Sequence, residues 1–212
     1  MFFIFDWDGT LCDSTAKIVS CMHQAAHGLN LPALSDLEVQ NIIGLGLPEA
    51  IQTLYPELDT LGVDAMRQAY ADHFNASDTT PAELFANTEH TLERLLDDGH
   101  KIAVATGKSR AGLDRVLASM GMSSVFHATR CSDETASKPH PLMLQQLLEE
   151  MRVPVEEAVM IGDTEFDMEM ARRADMPRIA VDYGAHHISR LKPYQPALCV
   201  SDIRDVLQFS LR

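Results

Sequence analysis

A chain of 212 residues is long enough for one sizeable α/β domain, or for a core with a smaller companion, and 46% hydrophobic with 23% charged residues is ordinary for a soluble globular protein. Its 31 acidic against 17 basic side chains give a formal charge of −14, which argues against nucleic acid as a partner because phosphate backbones attract Lys and Arg. The only N-terminal apolar stretch, Phe2 to Phe5, is too short to cross a membrane or to serve as a signal core, and Cys12, Cys21, Cys131 and Cys199 show no CxxC pair or metal-ligand spacing. These features predict free thiols, no membrane association and a reducing, cytoplasmic setting.

Phe2-Phe3-Ile4-Phe5 reads as a buried strand, continuously apolar because parallel strands are covered on both faces. It runs into Asp6-Trp7-Asp8-Gly9-Thr10, two carboxylates that are costly to bury unless something positive joins them. Taken alone, such a pair is a turn cap. After Leu11 the period becomes helical through Ile18, Met22 and Leu29, ending at Asn30-Leu31-Pro32. Ser35 with Glu38 is a capping-box signature for a short helix through Ile42-Ile43. Gly44 to Pro48 is a loop, Pro48 suits the first turn of a helix reaching Leu54, and Val63, Met66, Tyr70 and Phe74 mark another helix. Ser77 to Pro81 reads as a linker.

Strands and helices then alternate. Asn87 is expected to cap a helix carrying Leu92, Leu95 and Leu96, closed by Gly99. Ile102 to Ala105 is a second buried strand ending at Thr106-Gly107, and Ser109 opens a helix through Met120. A weaker strand is expected around Phe126 to Thr129, and a helix along Leu144, Leu147, Leu148 and Met151. Ala158 to Ile161 is a third buried strand, ending in Gly162-Asp163 ahead of a helix with Met168 and Ala171. Arg178–Val181 and Leu198–Val200 are two further strands, and Asp202 caps a last helix. The alternation predicts a doubly wound parallel sheet interrupted after its first strand by an all-helical insertion. The expected core is 1–14 with 82–212, and the helical cap is 15–81.

Three strands thus end in polar residues: Asp6 and Asp8, then Thr106, then Asp163 with Asp167 one turn later. In a parallel sheet those ends share one edge. Lys138, in Ser137-Lys138-Pro139-His140-Pro141, adds an ammonium. Carboxylate oxygens suit Mg²⁺, which takes one or two protein carboxylates and completes its shell with water and phosphate oxygens. A lysine and a threonine hydroxyl suit the oxygens of a transferred phosphoryl group.

The stretches FDWDGTLCDS, VATGK, SKPHP and IGDTEFDM resemble, in order and approximate spacing, the four motifs of haloacid dehalogenase superfamily phosphatases with a helical cap, nearest those like phosphoglycolate phosphatase. The resemblance covers essentially the whole chain. It implies that Asp6 attacks phosphorus, that Asp8 is general acid and then general base, and that Thr106 and the Gly107 amide bind phosphoryl oxygens while Lys138 offsets charge. It also implies Mg²⁺ on the Asp6 carboxylate, the Asp8 carbonyl and Asp163, with Asp167 a ligand or a partner reached through water. An acid at position 8, which the dehalogenases lack, favours ester hydrolysis over carbon–halogen cleavage.

The expected partner is a small phosphorylated metabolite resembling phosphoglycolate, bound by a monomer or homodimer. Gly44 and Gly46 either offer it loop amides or simply turn the chain. The alternatives are a sugar-phosphate mutase of the same superfamily, whose basic cap-loop groups are missing from Gly44-Leu45-Gly46-Leu47, and a phospho-acceptor module without turnover. Lys17, the single lysine between residues 15 and 81, lies in the wrong segment for a Schiff base. His23 with His27, and His186 with His187, read as solvated faces.

Overall fold

The computed structural model describes residues 1–76 and 82–210; the segment read as a linker, 77–81, lies outside them. Its centre is a parallel sheet of six strands: β1 (Phe2–Phe5), β4 (Lys101–Thr106), β5 (Ala128–Cys131), β6 (Ala158–Gly162), β7 (Arg178–Val181) and β8 (Leu198–Val200). The spatial order is β5-β4-β1-β6-β7-β8, so β1 lies inside and the chain changes direction across it. Ligands of open α/β sheets bind at such a reversal, outside the carboxyl ends of the strands.

The strand registers place the polar ends together. Phe5 pairs with Val104 on one side and Ile161 on the other, and the Asp6 amide donates to the Ile161 carbonyl at 2.9 Å. Asp6, Thr106 and Asp163 therefore leave the sheet at neighbouring points of one edge. The apolar run of β1 feeds two cores. Phe3 and Phe5 join Leu92 and Leu95 of α5 (Thr88–Asp97) and Leu113 and Leu117 of α6 (Arg110–Ser119) on one face. Phe2 and Ile4 join Met143, Leu144 and Leu147 of α7 (Leu142–Met151) and Met170 and Ala171 of α8 (Glu165–Arg173) on the other. A short α9 (Ile188–Leu191) packs beside β7.

Between β2 (Cys12–Asp13) and β3 (Glu83–Leu84) run α1 (Thr15–Gly28), α2 (Asp36–Gln40), α3 (Leu47–Leu54) and α4 (Thr60–Ala76). Their apolar faces form a separate cluster around Met22, Ile51, Tyr55 and Met66. The Ser35–Glu38 capping box forms, and Pro48 lies in the first turn of α3. The four cysteines are free thiols, and no helix among the described residues is long and apolar enough to cross a membrane.

Four features differ from, or add to, the sequence reading. β2 and β3, too short to show a period, pair antiparallel where the helical insertion leaves and rejoins the sheet. β5 starts at Ala128 rather than Phe126, whose ring instead packs edge-on against Trp7 at 6.3 Å. Asn87 precedes α5 in a left-handed conformation (φ +68) and makes no capping bond; its side-chain amide donates to Asp202 at 3.2 Å. Asp202 does accept from the Arg204 amide, but the turn it opens, Ile203–Gln208, is a 3-10 helix.

Phe5 is fully buried between β4 and β6 and touches the core that supports Asp6. Phe5→Ala should therefore lower unfolding free energy by about 3–5 kcal/mol in a denaturant titration, the usual cost of emptying an aromatic core site.

Candidate active site

At the carboxyl end of β1 the Asp6 carboxylate is buried, and its Oδ1 accepts from the Trp7 amide at 2.7 Å. The Lys138 ammonium lies 2.7 Å from the same Oδ1 and 2.7 Å from Asp167 Oδ1, with all three side chains at most 1% exposed. The tether on Lys138 is short: the helix α7 begins a few residues on, and Ser137 Oγ donates to the Lys138 carbonyl at 3.1 Å. Asp167 is held by its own helix. Its Oδ2 accepts from the Thr164 amide at 3.0 Å and the Thr164 hydroxyl at 2.7 Å, a capping box that opens α8.

Asp163, at the end of β6, accepts from Thr10 Oγ1 at 2.8 Å and from the Ala185 amide at 2.7 Å. Thr10 rides on the turn after Asp8, where Gly9 takes φ +81, and the Tyr183 hydroxyl donates to the Thr10 carbonyl at 3.1 Å. Asp6, Asp163 and Asp167 bring ligand atoms within 4.8 Å of one another. Three buried carboxylates thus gather around one ammonium. Burial, and then the neighbouring Asp167 and Asp163 charges, push the Asp6 carboxyl well above its ordinary value, against the pull of Lys138. Asp163 is pushed up to about 7 by burial and by Asp167. Burial opposes the charge on Lys138, but Asp167 and Asp6 outweigh it and its pKa is raised. Asp6 Oδ2 is buried with no hydrogen-bond partner among the described residues. An orphaned anionic oxygen beside two further carboxylates fits a divalent cation, the charge that would let all three stay ionised.

Asp8, two residues beyond Asp6, is nearly buried. Its Oδ1 accepts from Ser14 Oγ at 2.5 Å and lies 3.0 Å from the Lys108 ammonium. Thr106 is fully buried, and its Oγ1 accepts from the Lys108 amide at 3.2 Å, so the hydroxyl proton remains available for an acceptor. Asp6 and Asp8 line a cavity of about 490 Å³ together with Ile18, Met22, Leu45, Tyr70 and Phe74 of the inserted segment. That is the size and mixed lining of a small-molecule pocket.

The two cap-loop glycines part company. Gly44 lines this cavity with φ +102, a left-handed conformation that makes it a turn residue. Gly46 does not line it, and its amide donates to Ser137 Oγ at 2.8 Å, so this amide is taken up by the core loop beside Lys138. For Gly46 the reading as a substrate contact is therefore corrected. Gly107 is confined by the same loop: a Cβ there would overlap the carbonyl oxygens of Leu45 and Gly44. His186 is also corrected. It is buried, Nδ1 accepts from the Glu165 amide at 3.2 Å, and burial followed by Arg190 lowers its pKa. His23 pairs with Asp36 at 3.5 Å. Ser14, Lys108 and Ser137 were missed; each stood inside a quoted motif, and a polar residue beside an expected acid or lysine was the available signal.

The family model for haloacid dehalogenase-like hydrolases matches residues 3–181. The chain belongs to that family, and it is an enzyme of the phosphatase kind. A Dickeya dadantii protein named "Probable phosphatase IndB" is 31% identical over 208 residues, covering 96% of this chain and 90% of its own. A phosphoglycolate phosphatase of Vibrio cholerae is 27% identical over 215 residues, covering 98% and 95%. In fold, a hydrolase crystal structure from Pseudomonas syringae superposes with a TM-score of 0.89 at 22% identity, over 98% of this chain and 96% of that one.

The charge imbalance has a measurable sign. Because folding raises the Asp163 pKa, its protonated form is favoured in the native state, and that contribution is lost as pH rises through about 7. In chelator at pH 8, Asp163→Asn should therefore unfold at a temperature no lower than the wild type. Added Mg²⁺ should raise the melting temperature of the wild type and leave that of the variant nearly unmoved.

Proposed function

We propose that this enzyme is a Mg²⁺-dependent phosphomonoester hydrolase working through an aspartyl phosphate on Asp6, with a small phosphorylated metabolite as substrate. The observation that carries the reading is Asp6 itself: a buried carboxylate at a strand end, fixed by the Trp7 amide and Lys138, facing a cavity that also holds Asp8. In this reading residues 15–81 are a cap over a core of 1–14 and 82–212, and the enzyme is cytoplasmic, has no nucleic-acid partner and acts as a monomer or homodimer.

The Asp6 carboxylate, the Asp8 carbonyl and Asp163 would hold the cation. Asp167, with both oxygens already engaged by Lys138 and Thr164, would reach it through water. Bound there, Mg²⁺ would neutralise charge on the phosphoryl oxygens and on the carboxylates around it.

The chain's own residues supply the rest. Lys138 holds Asp6 in place and opposes the negative charge that gathers at the phosphoryl group. Thr106 Oγ1, free to donate, and the Gly107 amide ahead of α6 bind phosphoryl oxygens. An Asp6 oxygen forms a bond to phosphorus while the ester P–O bond breaks, and Asp8 gives its proton to the departing oxygen. Asp8 then takes a proton from the water that hydrolyses the acyl phosphate, which returns Asp6 and releases phosphate. The inserted helices close the cavity against bulk water, so the acyl phosphate meets one water under the control of Asp8.

The relatives named phosphoglycolate phosphatase match along nearly their whole length, which makes phosphoglycolate the first ester to assay. A panel of phosphate esters should show hydrolysis that requires Mg²⁺ and disappears with chelator. Asp6→Asn should lower turnover by about a thousandfold or more, the scale of losing a covalent nucleophile. Wild-type turnover in that variant, or turnover indifferent to metal, would reject the mechanism.

A further inference from the structure

We infer that Lys108 is the positioning residue of the Asp8 acid–base, and that the ring of Phe74 on α4 completes its setting when the inserted helices are seated. The inference rests on the proposed role of Asp8 in proton transfer. The Lys108 ammonium is 3.0 Å from Asp8 Oδ1, with the two side chains only 11% and 12% exposed. The same ammonium lies 4.7 Å from the centroid of the Phe74 ring. It therefore joins the acid of the core to an aromatic of the inserted helices.

The backbone of Lys108 is fixed at both ends. Its amide donates to Thr106 Oγ1 at 3.2 Å, and its carbonyl accepts from the Ser132 amide at 3.2 Å. The stem thus starts from a set point, and the ammonium reaches Asp8 without a search. Ser14 Oγ donates to the same Asp8 oxygen at 2.5 Å. Two donors on Oδ1 fix the rotation of the carboxyl group and leave Oδ2 to carry the proton toward the cavity. An ordered carboxyl with one working oxygen is what a general acid requires, because proton transfer depends on reach and direction before anything else.

Phe74 adds a dependence on the cap. A ring face at this distance attracts the ammonium by about 0.5–2 kcal/mol and keeps water from it. Lys17 of α1 lies 4.7 Å from the same ring, and the Tyr70 ring lies tilted against it at 5.8 Å, so Phe74 is held as part of the cap rather than as a loose side chain. Lifting the helices removes the ring and opens the Lys108–Asp8 pair to water, where exposed ion pairs hold little geometry. Seating of the cap is thereby communicated to the proton donor.

The leaving group separates this role from a structural one. When the ester P–O bond breaks, an alkoxide needs the Asp8 proton, whereas p-nitrophenolate departs as a stable anion. The ratio kcat/KM covers the steps up to transfer onto Asp6, so later hydrolysis of the acyl phosphate does not mask the effect. For Lys108→Met the preference for p-nitrophenyl phosphate over glycerol 2-phosphate and phosphoglycolate, measured as kcat/KM, should rise at least about tenfold, on the scale of general acid catalysis. Lys108→Arg should restore most of the original ratio. Phe74→Leu should move it the same way by less, and added to Lys108→Met it should change little, since the two act through one contact. An unchanged ratio with equal losses on all esters would overturn the inference in favour of a structural lysine. A loss confined to phosphoglycolate and to KM would overturn it in favour of a carboxylate-binding lysine. Amide hydrogen exchange of the same proteins without substrate keeps the two readings apart. Lys108→Met should speed exchange of α4 around Phe74 relative to β4, and unchanged exchange there would overturn the coupling. A wild-type chain inert to every ester would refute the phosphatase reading and, with it, the role of Lys108 in proton transfer.

Discussion

The structure depends on one buried ammonium. Lys138 lies 2.7 Å from Asp6 and 2.7 Å from Asp167, out of contact with water, and a third carboxylate, Asp163, stands within the same cluster. A pair of this kind contributes little net stability, since desolvation offsets the attraction, but removing one partner leaves a buried charge uncompensated at a cost of about 3–5 kcal/mol. The sheet accepts this because its strands are covered on both faces and hold the groups rigidly at their ends. The surplus of negative charge is what a divalent cation would offset. Asp6 is thereby held in one place, with its backbone amide tied to β6 and its side chain to Lys138.

The inserted helices touch the core beside each of these groups. The Gly46 amide meets Ser137 next to Lys138, the Gly44 and Leu45 carbonyls press on Gly107 next to Thr106, and Phe74 covers Lys108 next to Asp8. Arg190 bonds Asn41 of the cap and, at 2.6 Å, Glu165 at the start of α8. The inserted segment and the sheet edge therefore meet at residues that directly flank Lys138, Thr106 and Asp8.

Much of this was legible in the chain. The unbroken apolar runs of β1, β4 and β6 identified central strands, and the polar residue after each run identified the edge where they converge. What stayed hidden was tertiary. Asn87 has the composition of a helix cap, but its positive φ turns the side chain away toward Asp202, more than a hundred residues on. His186, adjacent to exposed His187, gave no local sign that the chain folds it beneath α8. The Gly46 amide could be assigned only once Ser137 was placed opposite, and the link from Lys108 to Phe74 crosses from core to cap. Pattern within one element carries backbone form; pairing between elements does not appear in it.

The most direct measurement is to identify the phosphorylated side chain. The enzyme is mixed with a ³²P-labelled ester and Mg²⁺, quenched in acid within the first turnover, reduced with borohydride to convert any acyl phosphate to a stable alcohol, and mapped by peptide mass. Reduction of Asp6 to homoserine, with stoichiometric label lost from that position, is the expected result. Reduction at Asp8 or Asp163, or hydrolysis that proceeds with no labelled side chain, would contradict the account.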